Sequence, residues 1–198
     1  MKNHARFREF LARFSALVDA AAGDERRIFR DGAPLLSDLV HHDDWLPDEF
    51  AAEDPATYRQ YLLYCDPRER FSVVSFVWGP GVKTPIHDHT VWGMVGVMRG
   101  AENCHEYDAP NPGVSPAPRA QHRCEPGDVD KVSPTVGDVH VVENALGDRA
   151  SISIHVYGGN IGAVRRHVFD PVTGAAKPFI SGYSKTTLPN FWDRSKEA

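Results

Sequence analysis

Cysteine is scarce in this sequence. Cys65, Cys104 and Cys124 stand far apart and form no C-x-x-C pair, which excludes a disulfide framework and fits reduced thiols in a cytoplasm. Long apolar runs are missing as well. The longest candidate, residues 71–78, has the length of a strand and falls far short of a bilayer span. No run rich in Lys and Arg occurs, and the net charge is -5, the wrong sign for a chain whose main partner is nucleic acid. The opening MKNHARFREF is charged and lacks the apolar stretch of a secretory signal. A cytoplasmic protein without membrane or nucleic-acid partners is therefore expected. Oligomeric state leaves no mark that can be read.

What is present suits one folded domain. The chain has 198 residues, 41% of them hydrophobic and 25% charged, enough for a core and one interior site. The first part, 1–65, reads as mainly helical. Phe7, Phe10, Leu11, Phe14, Leu17 and Val18 recur at helical spacing, with Gly23 as a stop. A second helix is expected around Leu35, Leu36, Leu39 and Val40, and a third over Thr57 to Tyr64. From about Phe71 short β-branched and aromatic runs alternate with Gly and Pro, as in FSVVSFVW, VWGMVGVM, GDVHVVEN and ASISIHVY. That pattern predicts an antiparallel sandwich or barrel over 66–183. Residues 109–118 form a Pro-rich loop, and 184–198 read as a polar tail on the surface.

Two histidines stand one residue apart in TPIHDHTVWG. Positions i and i+2 of a strand share a face, so His87 and His89 point together if the segment is extended, while Asp88 points away. GDVHVVEN supplies His140 as a third imidazole. The spacing Gly81, His87, His89, Gly93, Gly100 resembles the first cupin motif, with Gly93 where many cupins carry a glutamate ligand. Gly137, His140 and Asn144 resemble the second, although Pro134 is one residue out of place. Three neutral imidazoles would leave a divalent ion its full charge and open positions. They suit zinc hydration as well as iron, so the ligand set alone does not choose the metal.

ASISIHVYGG puts Ser151, Ser153, His155 and Tyr157 on one strand face and Ile152, Ile154 and Val156 on the other. The apolar face belongs to the core. The polar row is either a buried hydrogen-bonded chain or the wet side of an edge strand, and periodicity does not distinguish them.

The combination of HDH, His140 and S-x-H-x-Y resembles the cysteine dioxygenase family of thiol dioxygenases, from about Tyr58 to Tyr183. The resemblance implies a mainly β cupin fold with N-terminal α-helices. It implies ferrous iron, Fe(2+), held by His87, His89 and His140, with both atoms of O2 passing to the sulfur of a small thiol to give a sulfinic acid. Ser153, His155 and Tyr157 would form a catalytic hydrogen-bond relay outside the ligands, with Tyr157 reaching into the site. Animal members crosslink that tyrosine to a cysteine; Gly93 occupies the corresponding position here, so no thioether is expected.

Animal members also use an arginine to bind the substrate carboxylate. Gln60 falls at that position, with Arg59 one residue earlier. This resembles a bacterial glutamine-type subgroup associated with 3-mercaptopropionate. Carboxylate binding then falls on Gln60, Tyr157 and Arg166, though alternation does not say whether Arg165 or Arg166 points inward. The alternatives are oxidation of cysteine to cysteine sulfinate, a cupin that binds a metal or ligand without turnover, and a zinc hydrolase. The last lacks a base carboxylate near the histidines. His105 and His122 are expected to be exposed, His41 and His42 to cap a helix end, and Trp78 and Trp92 to serve packing, with Trp92 near enough to line the pocket.

Overall fold

The two N-terminal helices take their bounds from local capping. The computed structural model describes residues 2–111 and 113–194. In it α1 (His4–Ala21) ends where Ala22 (φ 49°) and Gly23 (φ 89°) turn left-handed. α2 (Glu25–Val40) starts earlier than the apolar spacing suggested, because the Asp24 carboxylate accepts the Arg27 N–H at 3.1 Å. At its far end the Ser37 carbonyl accepts the His41 backbone N–H at 3.1 Å, and His41 Nδ1 lies 2.6 Å from the same oxygen.

The expected third helix is a strand. β1 (Arg59–Cys65) pairs with β2 (Ser72–Trp78) in antiparallel register. Tyr61 and Leu63 pack toward the helices, whereas Gln60 and Leu62 face the barrel. Period-two burial and pairing with β2 override the helical spacing.

The remaining strands are β3 (Ile86–His87), β4 (Gly93–Arg99), β5 (Glu102–Tyr107), β6 (Pro118–Cys124) and β7 (Val129–Val132). They continue with β8 (His140–Asn144), β9 (Ser151–Tyr157), β10 (Arg166–Phe169) and β11 (Ala176–Phe179). One sheet has the order β1-β2-β9-β4-β7 and the other β11-β10-β3-β8-β5-β6. The result is the mainly β cupin barrel that the sequence implied, with two N-terminal helices in place of the three expected.

The helices cover the outer face of the five-stranded sheet. Ile152, Ile154 and Val156 of β9 are buried there with Phe14, Leu36 and Met94. Gly96 of β4 allows the approach of α2: a Cβ would stand 2.9 Å from Leu36 Cγ. β9 is thus central and buried on both faces, which settles its polar row as interior.

The tail is not simply a polar surface segment. The Ser184 N–H donates to the Gln60 carbonyl at 2.8 Å, and Phe191 is fully buried, its ring 4.3 Å from that of Phe7 and 5.3 Å from that of His4. Residues 195–198 of the expected tail lie outside the described residues, as does residue 112 of the Pro-rich loop. Among the described residues no helix is long and apolar enough to cross a membrane. Phe191 fills a closed aromatic cluster, so Phe191→Ala should lower unfolding free energy by about 3 kcal/mol. Urea unfolding checks this, and an unchanged midpoint would show that the tail does not anchor α1.

Candidate metal centre

β3 and β8 place His87 directly opposite His140 in the sheet register. His89 lies just beyond the end of β3, and Thr90 after it is left-handed at φ 58°. The pair nevertheless converges as strand spacing predicted. Ring centroids lie 4.8 Å apart for His87–His89, 4.8 Å for His87–His140 and 4.9 Å for His89–His140. One ring nitrogen of each lies within 4.8 Å of the others.

In each ring the other nitrogen is occupied. His87 Nδ1 is 3.1 Å from the Pro85 carbonyl, His89 Nδ1 is 3.1 Å from Asp138 Oδ1, and His140 Nδ1 is 3.5 Å from Cys104 Sγ. A carbonyl can only accept a hydrogen bond, so His87 carries its hydrogen on Nδ1 and keeps the Nε2 lone pair for a metal. Burial, with the neighbouring imidazoles adding to it, depresses His87 to about 3 and holds His140 well below the usual range. Three imidazoles gathered at one point fit a divalent transition metal.

Asp138 was not singled out in the sequence. It accepts the His89 and Thr90 backbone N–H groups at 3.0 and 2.9 Å as well as the His89 ring. Burial works to raise its pKa, but bonding to His89 and these amides holds it below the ordinary carboxylate value. Its position two residues before His140 is the only signal that marked it. Asp88 turns the other way and holds His167, through the backbone N–H at 2.7 Å and Nδ1 at 2.8 Å.

A cavity of ≈ 250 Å³ adjoins the triad, below the range of about 300–1,000 Å³ usual for drug-sized ligands. Tyr157 enters it from β9, its ring stacked on His89 at 5.5 Å. Gly93 is what admits that ring: a Cβ there would lie 2.8 Å from Tyr157 Cδ1. Behind Tyr157 runs the polar row. Its hydroxyl is 2.7 Å from His155 Nδ1, and His155 Nε2 is 2.8 Å from Ser153 Oγ. Trp78, read as packing, extends the row by donating Nε1–H to Ser153 Oγ at 3.1 Å. Burial lowers His155 and raises Tyr157, so both stay neutral.

Arg166 is the inward arginine, 3% exposed, and Arg165 is exposed. Arg166 donates to Ser181 Oγ at 2.7 Å and sits 4.8 Å from the Phe179 ring centre, while its Nε has no partner among the described residues. Gln60 also lines the cavity. Its amide nitrogen donates to Ser181 Oγ at 3.1 Å and to the Gly182 carbonyl at 2.9 Å. Both amide hydrogens are thereby used, and Gln60 meets Arg166 through Ser181. Arg59 points outward to Asp54.

Other expectations need correction. Trp92 packs against Phe14 and Phe29 beneath the helices and does not line this cavity. His105 and His122 are half-buried and face carboxylates, His105 at Glu143 and His122 at Asp130 and Glu106. His105 lies on the internal strand β5, and His122 on the edge strand β6 reaches Asp130 of β7, contacts that the adjacent Pro-rich loop obscured. Glu102 and Cys104, both buried on β5, were also missed, since nothing in ENCHEY marks an inner face.

Removing the carboxylate that orients His89 should weaken metal binding without unfolding the barrel. Asp138→Asn is expected to raise the metal dissociation constant by about 10–100-fold. Competition with a chelator reads this, and unchanged affinity would show that His89 orients itself.

Residues 37–170 match the family model described as cysteine dioxygenase type I. Similar solved structures include a conserved double-stranded beta-helix protein from Klebsiella pneumoniae subsp. pneumoniae, at 20% identity over 61% of this chain and 94% of that one, with a TM-score of 0.47. Another is a cupin superfamily protein from Desulfitobacterium hafniense, at 12% identity over 60% and 94% of the two chains, with a TM-score of 0.44. Such distant overlaps say nothing of chemistry. The family match spans well over half of the sequence, and with it this chain belongs to the metal-dependent cysteine dioxygenase type I family.

Proposed function

We propose that this chain is an iron-dependent thiol dioxygenase whose substrate is a small thiol carboxylate, 3-mercaptopropionate in the first instance. The overall reaction is R–SH + O2 → R–SO2H, in which both oxygen atoms add to sulfur and no further reductant is needed. Ferrous iron, held by His87, His89 and His140, would supply the redox chemistry that lets O2 react with the thiol.

The observation that carries this reading is Arg166. A buried guanidinium without a carboxylate partner among the described residues is costly. Here it lines the same cavity as three imidazoles. An anionic group on the ligand would complete it. A thiol at the triad and a carboxylate at Arg166 describe one short molecule with an acid at the other end.

The cavity also argues for the absence of an amine. No Asp or Glu is among the described residues that line it, and Lys177 stands at its edge. A substrate ammonium would meet positive charge and no counter-charge, which disfavours cysteine relative to its des-amino analogue. Gln60 holds Ser181 in place for Arg166. Tyr157, kept protonated by burial, offers a hydrogen bond beside the triad, toward either the carboxylate or the reacting oxygen.

Oxygen uptake with each thiol tests the substrate. The kcat/KM for 3-mercaptopropionate should exceed that for cysteine, and the reverse order would overturn the choice. Uptake with no thiol would point instead to a binding protein.

Arg166→Met should lower kcat/KM for 3-mercaptopropionate by about 10–100-fold, the worth of a charge-assisted pair. Turnover of 2-aminoethanethiol, which has no carboxylate, should change little. Equal losses for both would remove Arg166 from substrate binding.

His140→Ala should deplete the metal, whereas His155→Ala should keep it and slow oxidation. Metal analysis of the two proteins reads the difference, and equal depletion would contradict the division of roles.

A further inference from the structure

The relay from Tyr157 does not stop at Ser153. Beyond it, on β5, lies the Glu102 carboxyl, 2% exposed, with both oxygens enclosed and neither in a hydrogen bond of normal geometry among the described residues. The polar groups next to it are the hydroxyls of Ser151 and Ser153 and the Trp78 indole N–H. The Ser151 hydroxyl is also buried without a partner. Among the described residues no basic side chain compensates Glu102, so an ionised form would be a bare charge in the interior. A neutral acid there needs only hydrogen-bond partners, and it brings a proton to donate.

Ser153 Oγ has one proton and two lone pairs. The Trp78 N–H fills one lone pair at 3.1 Å. If Glu102 donates to the other, the Ser153 proton must go to His155 Nε2, 2.8 Å away. His155 then carries its own proton on Nδ1 and donates it to the Tyr157 oxygen at 2.7 Å. The Tyr157 proton is left free to face the cavity. With Glu102 ionised the chain reverses. The carboxylate takes the Ser153 proton, His155 donates from Nε2, and the Tyr157 proton is consumed by His155 Nδ1.

We propose that Glu102 is a positioning residue, a neutral donor that sets the direction of the Ser153–His155–Tyr157 relay so that Tyr157 presents its proton to the metal cavity. This deepens the dioxygenase reading and rests on it for the use of that proton. Burial supports it by raising the Glu102 pKa to about 8, against the lowering effect of Ser153, Ser151 and Trp78. The titratable groups around it are the Cys124 thiol, paired opposite on β6, and His155 and Tyr157 on β9; Asn144, opposite on β8, is neutral.

The tautomer of His155 reports the direction without any turnover. In the full-length chain with 15N-labelled histidine and diamagnetic zinc at the triad, the two ring nitrogens have distinct shifts. The resonance is assigned by its loss in His155→Asn. Near neutral pH the Nδ1–H form is expected, passing to the Nε2–H form as pH rises through about 8. Glu102→Gln keeps a donor at every pH and should hold the Nδ1–H form throughout. An Nε2–H form at neutral pH would overturn the proposal, as would native and Glu102→Gln proteins that respond alike to pH. The native pH series needs no variant to fold. Because no thiol is turned over, this result stands or falls separately from the dioxygenase assignment.

Discussion

Everything at this site depends on how three buried imidazoles are held. Left to themselves, rings at 4.8–4.9 Å would rotate to bond one another or the barrel wall. Occupying Nδ1 from outside prevents this. A backbone carbonyl takes His87, a carboxylate takes His89 and a thiol meets His140. What remains inside is a set of lone pairs aimed at one place, in a setting where burial keeps His87 and His140 uncharged. Asp138 does the most of the three, since it also fastens the chain at Thr90, where β3 has ended.

The same logic explains the N-terminal helices. A strand that carries Ser153, His155 and Tyr157 on its inner face cannot also leave its outer face wet without losing its burial. α1 and α2 seal that outer face with Phe14 and Leu36. β9 is therefore packed on both sides, and the hydrogen-bond row from Trp78 to Tyr157 is buried. In a buried row each hydrogen bond constrains the next. Arg166 is the exception: its Nε is left unpaired next to open volume, which marks where a ligand is expected.

Much of this was legible in the sequence, because strand spacing is a simple rule. The i, i+2 pattern put His87 with His89, and Ser153 with His155 and Tyr157. The structure brings those side chains together as that rule requires. Gln60 was chosen over Arg59 from the family resemblance, and strand spacing could not choose between Arg165 and Arg166, since strand phase is set by pairing with β11 and β3. The segment 57–64 read as helical because its apolar residues fit both periods, and only pairing with β2 decides. Asp138, Glu102 and Phe191 were invisible for a common reason. Each acts through a partner distant in sequence, and an isolated Asp, Glu or Phe carries no local sign of that partner.

The central claim is that a thiol and O2 combine at this triad with both oxygen atoms retained in the product. Turnover of 3-mercaptopropionate by the iron-loaded protein under 18O2, with the product mass recorded, tests it directly. A sulfinic acid carrying two labelled oxygens is the expected result. A product with one label or none, or a disulfide with no oxygen added, would contradict the account.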